Sequence, residues 1–322
     1  MAAVTVIIPA YNSAKHLPGA LESVFKQTYR DFELVVVDDG STDDTRKVLE
    51  GYKNRITYLY QENGGPSKAR NTAIRAAKGR YVAFLDADDL WLPHKLEQQM
   101  KLIESDPRLG LVFSDAEYFD GEPPLVGSYW KQRGCYDEMI SESRMIRNAF
   151  SKLMAINPIL PSTALVKKDC FDKTGLFDEA LRYVEDKEMW LRISRYYSMA
   201  CVPHPLVKRR VHGYSPKQVA SVQESIIHVV KKIERAYPED VAREKVNTKK
   251  ILGPLYFKLG RIYLDGDDFA RARRAFGSSL TSLFSLSAFL FFCAALAGAP
   301  VIHTLRRLKR SIKPQAVSYR AE

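Results

Sequence analysis

Cysteine is scarce: four in 322 residues, Cys135, Cys170, Cys201 and Cys293, with no C-x-x-C or other close pair. That spacing excludes a disulfide framework and a cysteine-held metal site, and it reads as reduced thiols of a cytoplasmic protein. No G-x-G-x-x-G follows the first apolar run, which removes the usual dinucleotide-binding crossover. Met1-Ala2-Ala3 runs straight into Val4-Thr5-Val6-Ile7-Ile8 with no basic and apolar leader between, so no signal peptide is expected. Charge is missing from one long stretch, since residues 275–302 contain no Asp, Glu, Lys or Arg.

The charge that is present is unevenly placed. From residue 201 onward 22 Lys and Arg stand against 9 Asp and Glu, whereas the first 200 residues carry 27 against 29. A basic C-terminal end points to an acidic partner: a membrane surface, a phosphorylated acceptor or nucleic acid. The basic residues lack the interleaved aromatics of a single-strand-binding face, so nucleic acid is not expected.

The first half alternates short apolar runs with helical spacing. Strands are expected at 4–8, 33–37, 56–60, 80–85 and 109–113. Helices are expected at 14–27, from a Thr42 or Asp43 cap to 49, at 64–77 and at 93–105. Buried strands alternating with helices predict an α/β fold with a mostly parallel central sheet, and ligands of such sheets lie beyond the C-terminal strand ends. The unusual polar residues fall at those ends. Pro9, Ala10, Tyr11 and Asn12 follow the first strand, Asp38 and Asp39 the second, and Asp86, Ala87, Asp88 and Asp89 the fourth. Asp39 and Tyr11 can read the edge and face of a nucleobase. Asp86 and Asp88, two apart after a bend, can hold Mg²⁺ or Mn²⁺ on a diphosphate. The plainer alternative makes Asp88 or Asp89 an N-cap for the helix after Leu92. Arg70, one turn into a glycine-led helix, suits phosphate better than solvent, while Lys68 reads as solvated and Ser41 and Asp43 as turn residues.

Four stretches resemble the family 2 inverting glycosyltransferases of the GT-A fold: Val6-Ile7-Ile8-Pro9-Ala10-Tyr11-Asn12, Val35-Val36-Val37-Asp38-Asp39-Gly40-Ser41-Thr42-Asp43, Gly64-Gly65-Pro66-Ser67-Lys68-Ala69-Arg70-Asn71 and Leu85-Asp86-Ala87-Asp88-Asp89. The resemblance covers about residues 3–215. It implies a nucleotide-diphospho-sugar transferase fold in which Pro9, Ala10, Tyr11, Asn12 and Asp39 hold the nucleoside. It also implies that Arg70 sits near the donor, and that Asp86-Ala87-Asp88 is the D-x-D element on the ribose and the Mn²⁺ or Mg²⁺. Further on, Glu185-Asp186 precedes the stripe Met189, Trp190, Ile193. Read alone, the two acids could cap a helix. The resemblance implies that Asp186 is the catalytic base, with Glu185 orienting it or touching the acceptor. Residues 207–215 resemble the closing segment of the family, which implies Arg210 as a phosphate clamp and His212 as a further metal ligand or diphosphate contact, against a plain surface histidine. Residues 115–160 are irregular and aromatic, at Tyr118, Phe119, Tyr129, Trp130 and Tyr136. They are either an acceptor-binding region or a surface insertion. Residues 161–166 read as a strand and 169–174 as a short helix.

The expected organisation is a catalytic domain over 1–215, with a nucleotide-sugar half to about 114 and an acceptor half beyond, then an α-helical tail over 216–322. In the tail, 219–236 is amphipathic, and about 251–280 resembles one tetratricopeptide hairpin through Tyr256, Leu259, Gly260, Tyr263, Ala272 and Phe276. About 281–310 is apolar between Arg271, Arg273, Arg274 and Arg306, Arg307, Lys309, Arg310. Basic flanks on both sides favour a helix lying in the cytoplasmic interface of an anionic membrane over a span or an oligomer contact. The expectation is therefore a metal-dependent transferase moving a sugar from a nucleotide-sugar, a UDP-sugar first, to a glycan or lipid-linked acceptor at the inner face of the plasma membrane, with oligomeric state open. The rivals are a nucleotidyltransferase, which leaves Glu185-Asp186 without a role, and a non-catalytic scaffold.

Overall fold

The structure, a computed structural model, describes residues 2–119, 127–135, 137, 144–211, 213 and 215–298. Two units separate within it: Met1–Gly213 together with Arg235–Val246, and Tyr214–Glu234 together with the chain from Asn247 on.

The first unit begins with the elements β1 (Val4–Ala10), α1 (Leu17–Phe25), β2 (Phe32–Asp38), α2 (Thr45–Glu50), β3 (Thr57–Tyr60), α3 (Gly65–Ala76) and β4 (Tyr81–Phe84). β1 is buried at every residue but Pro9. A strand with no polar face belongs inside a sheet covered on both sides, and β1 lies between parallel neighbours β2 and β4, with half-exposed β3 at the edge. Next come β5 (Leu90–Trp91), α4 (Lys95–Ile103), β6 (Leu109–Phe119), α5 (Tyr129–Gln132), α6 (Ala149–Ala155), β7 (Leu165–Lys167), α7 (Asp169–Thr174), α8 (Glu185–Ser194) and β8 (Ser198–Arg210). The sheet order is β3-β2-β1-β4-β7-β6-β8-β5. It is parallel from β3 to β4. β7 then runs antiparallel to both β4 and β6, β8 runs parallel to β6, and β5 runs antiparallel to β8.

Two expectations change. Pro161–Thr163 is a 3₁₀ turn, closed by the Thr163 N–H on the Leu160 carbonyl at 3.0 Å, and the strand starts only at Leu165. Pro161 has no N–H to give a ladder, so the run turns before it pairs. β6 continues to Phe119 rather than ending at Phe113, because β8 pairs with it to Arg210. Its Asp115 is buried, accepting from Ser128 and from the Trp130 N–H, so the aromatic stretch after β6 is partly core, with Trp130 fully buried.

An aromatic cluster packs α8 against β4. Phe84 at the end of β4 meets Phe177 at 5.6 Å and Trp190 at 6.0 Å, both edge-on. Such pairs add about 0.5–1.5 kcal/mol each beyond simple burial. They pack α8 and the loop before it against the C-terminal end of β4, near the turn that begins at Asp86.

α9 (Pro216–Ala236) is followed by α10 (Pro238–Arg243), which belongs to the first unit. The second unit contains α11 (Thr248–Asp265), α12 (Phe269–Ser282) and α13 (Leu286–Ala297). α11 and α12 form a hairpin turned at Gly266-Asp267, with Asp268 capping α12 through the Arg271 N–H. Gly260 allows their close approach, because a Cβ there would lie 2.6 Å from the Phe276 ring. The pair starts a turn earlier than the hairpin expected at 251–280. The apolar stretch is broken into two helices at Leu283, where the backbone is extended. Among the described residues no helix is long and apolar enough to cross a membrane.

One glycine fixes the turn after β2. Gly40 has φ +74°, and a Cβ there would lie 2.7 Å from the Asn63 nitrogen. Gly40→Ala combines a left-handed backbone with a clash against main chain, so it is expected to cost about 1–3 kcal/mol. Urea denaturation of the whole chain measures it; an unchanged midpoint would show that this turn is free to relax.

Candidate active site

The C-terminal ends of β1, β2 and β4 open onto one cleft of about 970 Å³. Pro9, Ala10, Tyr11 and Asn12 line it from β1, Asp39 from β2, the first turn of α3 through Arg70, then Asp86, Ala87 and Asp88, with Glu185 and the loop 179–182 on the other side. The structure thus brings together most of the residues singled out in the sequence.

Each wall has a local cause. Asn12 adopts φ 48°, which asparagine tolerates, and its side-chain oxygen accepts from the Thr42 N–H at 2.8 Å while its own N–H reaches the Ser41 hydroxyl at 3.0 Å. These bonds tie the loop after β1 to the loop after β2 and leave the Tyr11 ring 51% exposed at the rim. Asp43, as expected of a turn residue, accepts from the Thr45 N–H at 3.0 Å. The neighbouring acids Asp38 and Asp39 differ in job. Asp38 is 1% exposed and accepts from the Ser41 N–H and the Tyr58 hydroxyl, which is a turn-holding role. Asp39 accepts from Gln61 at 2.6 Å and from the Gly64 and Gly65 N–H groups at 2.9 and 2.8 Å, drawing the N-terminus of α3 to the cleft. That first turn carries the partial positive charge that suits phosphate. In it, the buried Ser67 hydroxyl lines the cleft without a hydrogen-bond partner among the described residues.

The acidic turn after β4 is held from behind. The Ser162 hydroxyl accepts from the Asp86 N–H at 3.0 Å and donates to Asp89 at 2.6 Å, and Asp89 also accepts from the Arg210 N–H at 2.9 Å. Arg210 Nε donates to the Asp88 carbonyl at 3.3 Å. Arg210 therefore braces this turn and does not line the cleft. Asp89 is buried, and burial together with the charges of Asp86 and Asp88 pushes it up to about 8. Neither Asp88 nor Asp89 caps a helix: α4 starts at Lys95 after His94, without a side-chain cap.

Arg70 crosses the floor of the cleft. It is 3% exposed and donates to Asp86 at 2.7 Å and to Glu185 at 2.6 Å. Burial works against its charge, but the two carboxylates outweigh burial and raise it further above its ordinary value. Its Nε has no hydrogen-bond partner among the described residues.

α8 opens on strained backbone. Val184, a β-branched residue, sits at φ 56° just before Glu185-Asp186, a conformation that costs about 1–3 kcal/mol and gathers at functional sites. Asp186 is buried, accepting from the Asn157 amide at 3.1 Å and the Lys187 N–H at 2.7 Å. Burial and the charge of Glu185 push it up to about 6, against the opposing effects of those two donors and Arg70. Lys187, bonded to the Met154 carbonyl at 3.0 Å, is brought down to about 8 by burial. Asn157 is set by its flanks, since the Trp130 and Trp190 indoles donate to the carbonyls of Pro158 and Ile159.

Asp86 and Asp88 are hard oxygen donors at the mouth of the turn. Among the described residues no three His, Cys, Asp or Glu gather as a complete cage for an ion. That donor set fits Mg²⁺ or Mn²⁺, which are commonly held by one or two carboxylates and completed by water and substrate phosphates. His212 lies outside the described residues, as does Tyr136.

Several residues here carried no signal in the sequence. Ser162 lies in a segment that reads as strand, Asn157 in one without a motif, and Ser67 was visible only as part of a helix start.

The family model for glycosyl transferase family 2 matches residues 5–173. The chain belongs to that family. Within it, the chain is 47% identical over 201 residues to the Escherichia coli UDP-Glc:alpha-D-GlcNAc-diphosphoundecaprenol beta-1,3-glucosyltransferase WfgD, covering 62% of this chain and 72% of WfgD. Two other bacterial members, 34% identical, are matched over 64% of their own length, so the chain spans just under two thirds of them. Among solved structures, S. aureus TarS 1-349 in complex with UDP superposes with a TM-score of 0.61 at 20% identity, covering 99% of this chain and 94% of TarS 1-349. The Pyrobaculum calidifontis mannosyltransferase PcManGT, in complex with GDP-Man and Mn²⁺, gives 0.60 at 21%, over 96% and 84%. These likenesses bear out the α/β fold of the family, followed by helices.

Removing the floor of the cleft should be costly. Arg70→Met leaves Glu185 buried beside Asp186 with no cation, and a broken buried pair costs about 3–5 kcal/mol. Because Asp86 is partly solvated, a loss nearer the lower figure is expected. Chemical denaturation with a single cooperative transition measures it, and a loss below about 1 kcal/mol would mean that the bridge is not a structural element.

Proposed function

We propose that this chain transfers a sugar from a nucleotide-sugar to a hydroxyl of a glycan or lipid-linked acceptor, with inversion at the anomeric carbon. One observation carries the reading: a single guanidinium joins Asp86 on the nucleotide side of the cleft to Glu185 on the other side, next to a carboxylate held near pH 6. In this reading Asp86 and Asp88 mark the diphosphate side, and Asp186, buried beside the cleft-lining Glu185, is the base. Family membership and the identity to WfgD, a protein named for UDP-Glc and a diphosphoundecaprenol-linked acceptor, support a UDP-sugar donor and a lipid-diphosphate-linked acceptor.

In this reading Pro9, Ala10, Tyr11, Asn12 and Asp39 take the nucleoside, and the α3 N-terminus with Ser67 meets the phosphates. Asp86 and Asp88 would hold Mn²⁺ or Mg²⁺, which when bound offsets the charge gathering on the departing diphosphate. PcManGT, the relative in fold described with Mn²⁺, supports a divalent ion here. Arg70 holds Asp86 and Glu185 in place by donating to both. The acceptor hydroxyl oxygen forms the new bond to the anomeric carbon as the bond to the diphosphate oxygen breaks, and Asp186 receives the hydroxyl proton. A base near pH 6 accepts that proton more readily than an ordinary aspartate. Asn157 fixes its orientation.

Two linked outcomes test this. Asp186→Asn is expected to keep donor affinity and lose transfer by about 10²–10⁴-fold. For the wild type, kcat/KM is expected to fall as pH drops through about 6, where Asp186 becomes protonated. Asn157→Ala removes a donor that favours the charged form, so its acid limb should move to higher pH by about one unit, with donor affinity unchanged. Full transfer by Asp186→Asn, or an acid limb unmoved by Asn157→Ala, would remove Asp186 from the base role.

A further inference from the structure

α13 is built inside out. Its buried residues are the small Ala288 and Ala295, while Leu286, Phe289, Leu290 and Leu296 are 45–66% exposed. With Leu283 and Phe284 just before it, this helix holds every exposed large hydrophobic residue among the described residues of the second unit. A helix apolar on all sides is normally buried in protein or lipid, and a contiguous apolar patch on this scale marks an interaction site.

The surroundings of the helix are cationic. The Arg261 guanidinium lies 4.8 Å over the Phe291 ring, and Arg273 donates to the Ala295 carbonyl at 3.3 Å, so two arginines stand beside α13. In sequence, residues 275–302 carry no charge, and 303–322 carry six Lys and Arg against one Glu. Twelve residues of helix make about 18 Å, against about 30 Å for the hydrocarbon core of a bilayer. The helix is too short to cross.

We propose that α13 lies in the plane of an anionic membrane interface, its outer face at the acyl boundary and its flanking arginines among the headgroup phosphates. Apolar area and cations act together at such a surface. Positive charge beside an apolar face selects negatively charged lipid over a second copy of this chain, whose matching face would bring the same cations together. The inference rests on residues other than those of the cleft, and stands or falls independently of the transfer reaction.

The chain carries its own probe site. Cys293 is exposed on α13, whereas Cys135, Cys170 and Cys201 are buried, so a thiol-reactive, environment-sensitive fluorophore goes to one described position. The full-length protein so labelled is mixed with vesicles of phosphatidylcholine alone, or of phosphatidylcholine with phosphatidylglycerol, and floated. Flotation with the mixed vesicles and a blue shift at Cys293 are expected, both weaker on neutral vesicles and at high salt. In the unlabelled chain, Leu286→Ser with Phe289→Ser and Leu290→Ser should lower vesicle affinity at least about tenfold, with the melting curve and lipid-free donor binding unchanged. Arg261→Gln with Arg273→Gln should reduce the preference for the anionic vesicles. Absence of flotation on both vesicle types would overturn the proposal. So would a lipid-free oligomer that the triple serine variant disperses, which would assign the face to a second copy, or a probe depth at the bilayer midplane.

Discussion

A single guanidinium has to satisfy two carboxylates from distant parts of the chain, and much of the cleft depends on it. Arg70 is buried, and so is Glu185. A buried charge without a partner is expensive, and Arg70 and Glu185 are tolerable mainly because each meets the other. The bridge fixes the start of α8 relative to the turn after β4. With α8 fixed, Asp186 stands beside Glu185 and away from solvent, and burial raises it.

The cleft is otherwise held by small groups bonded to main chain. Asp39 gathers the N-terminus of α3, Asn12 ties two loops, and Ser162 links Asp86 to Asp89. Rigid elements therefore support the polar groups, with the aromatic cluster of Phe84, Phe177 and Trp190 behind them. At the cleft, left-handed backbone occurs at Val184 and Asn12, next to the residues proposed for the chemistry and the nucleoside.

Much of this was legible from the sequence, for reasons that differ by residue. The strands around β1 announced themselves because a strand covered on both faces must be apolar throughout. Asp39, Asp86 and Asp88 fell at strand ends, where a mostly parallel sheet places its ligands. The double pairing of Arg70 was not legible, since Glu185 lies 115 residues away and no local pattern links them. Asn157 and Lys187 gain their meaning only from burial beside Asp186. Ser162 was hidden in a run that read as strand until Pro161 turned it. In the tail, composition revealed an apolar segment but not which side it presents. That depended on two alanines taking the inner face of α13 and turning the large side chains outward.

The proposed function requires the cleft to bind a nucleotide-sugar at Asp86 and Asp88. Calorimetric titration of the whole chain with UDP-, GDP- and dTDP-sugars, in Mn²⁺ and then in EDTA, tests it most directly. Saturable binding of a UDP-sugar in Mn²⁺, weakened by EDTA and by Asp86→Ala, is expected. Binding of no nucleotide-sugar in either condition, by a chain that is folded by its melting curve, would contradict it.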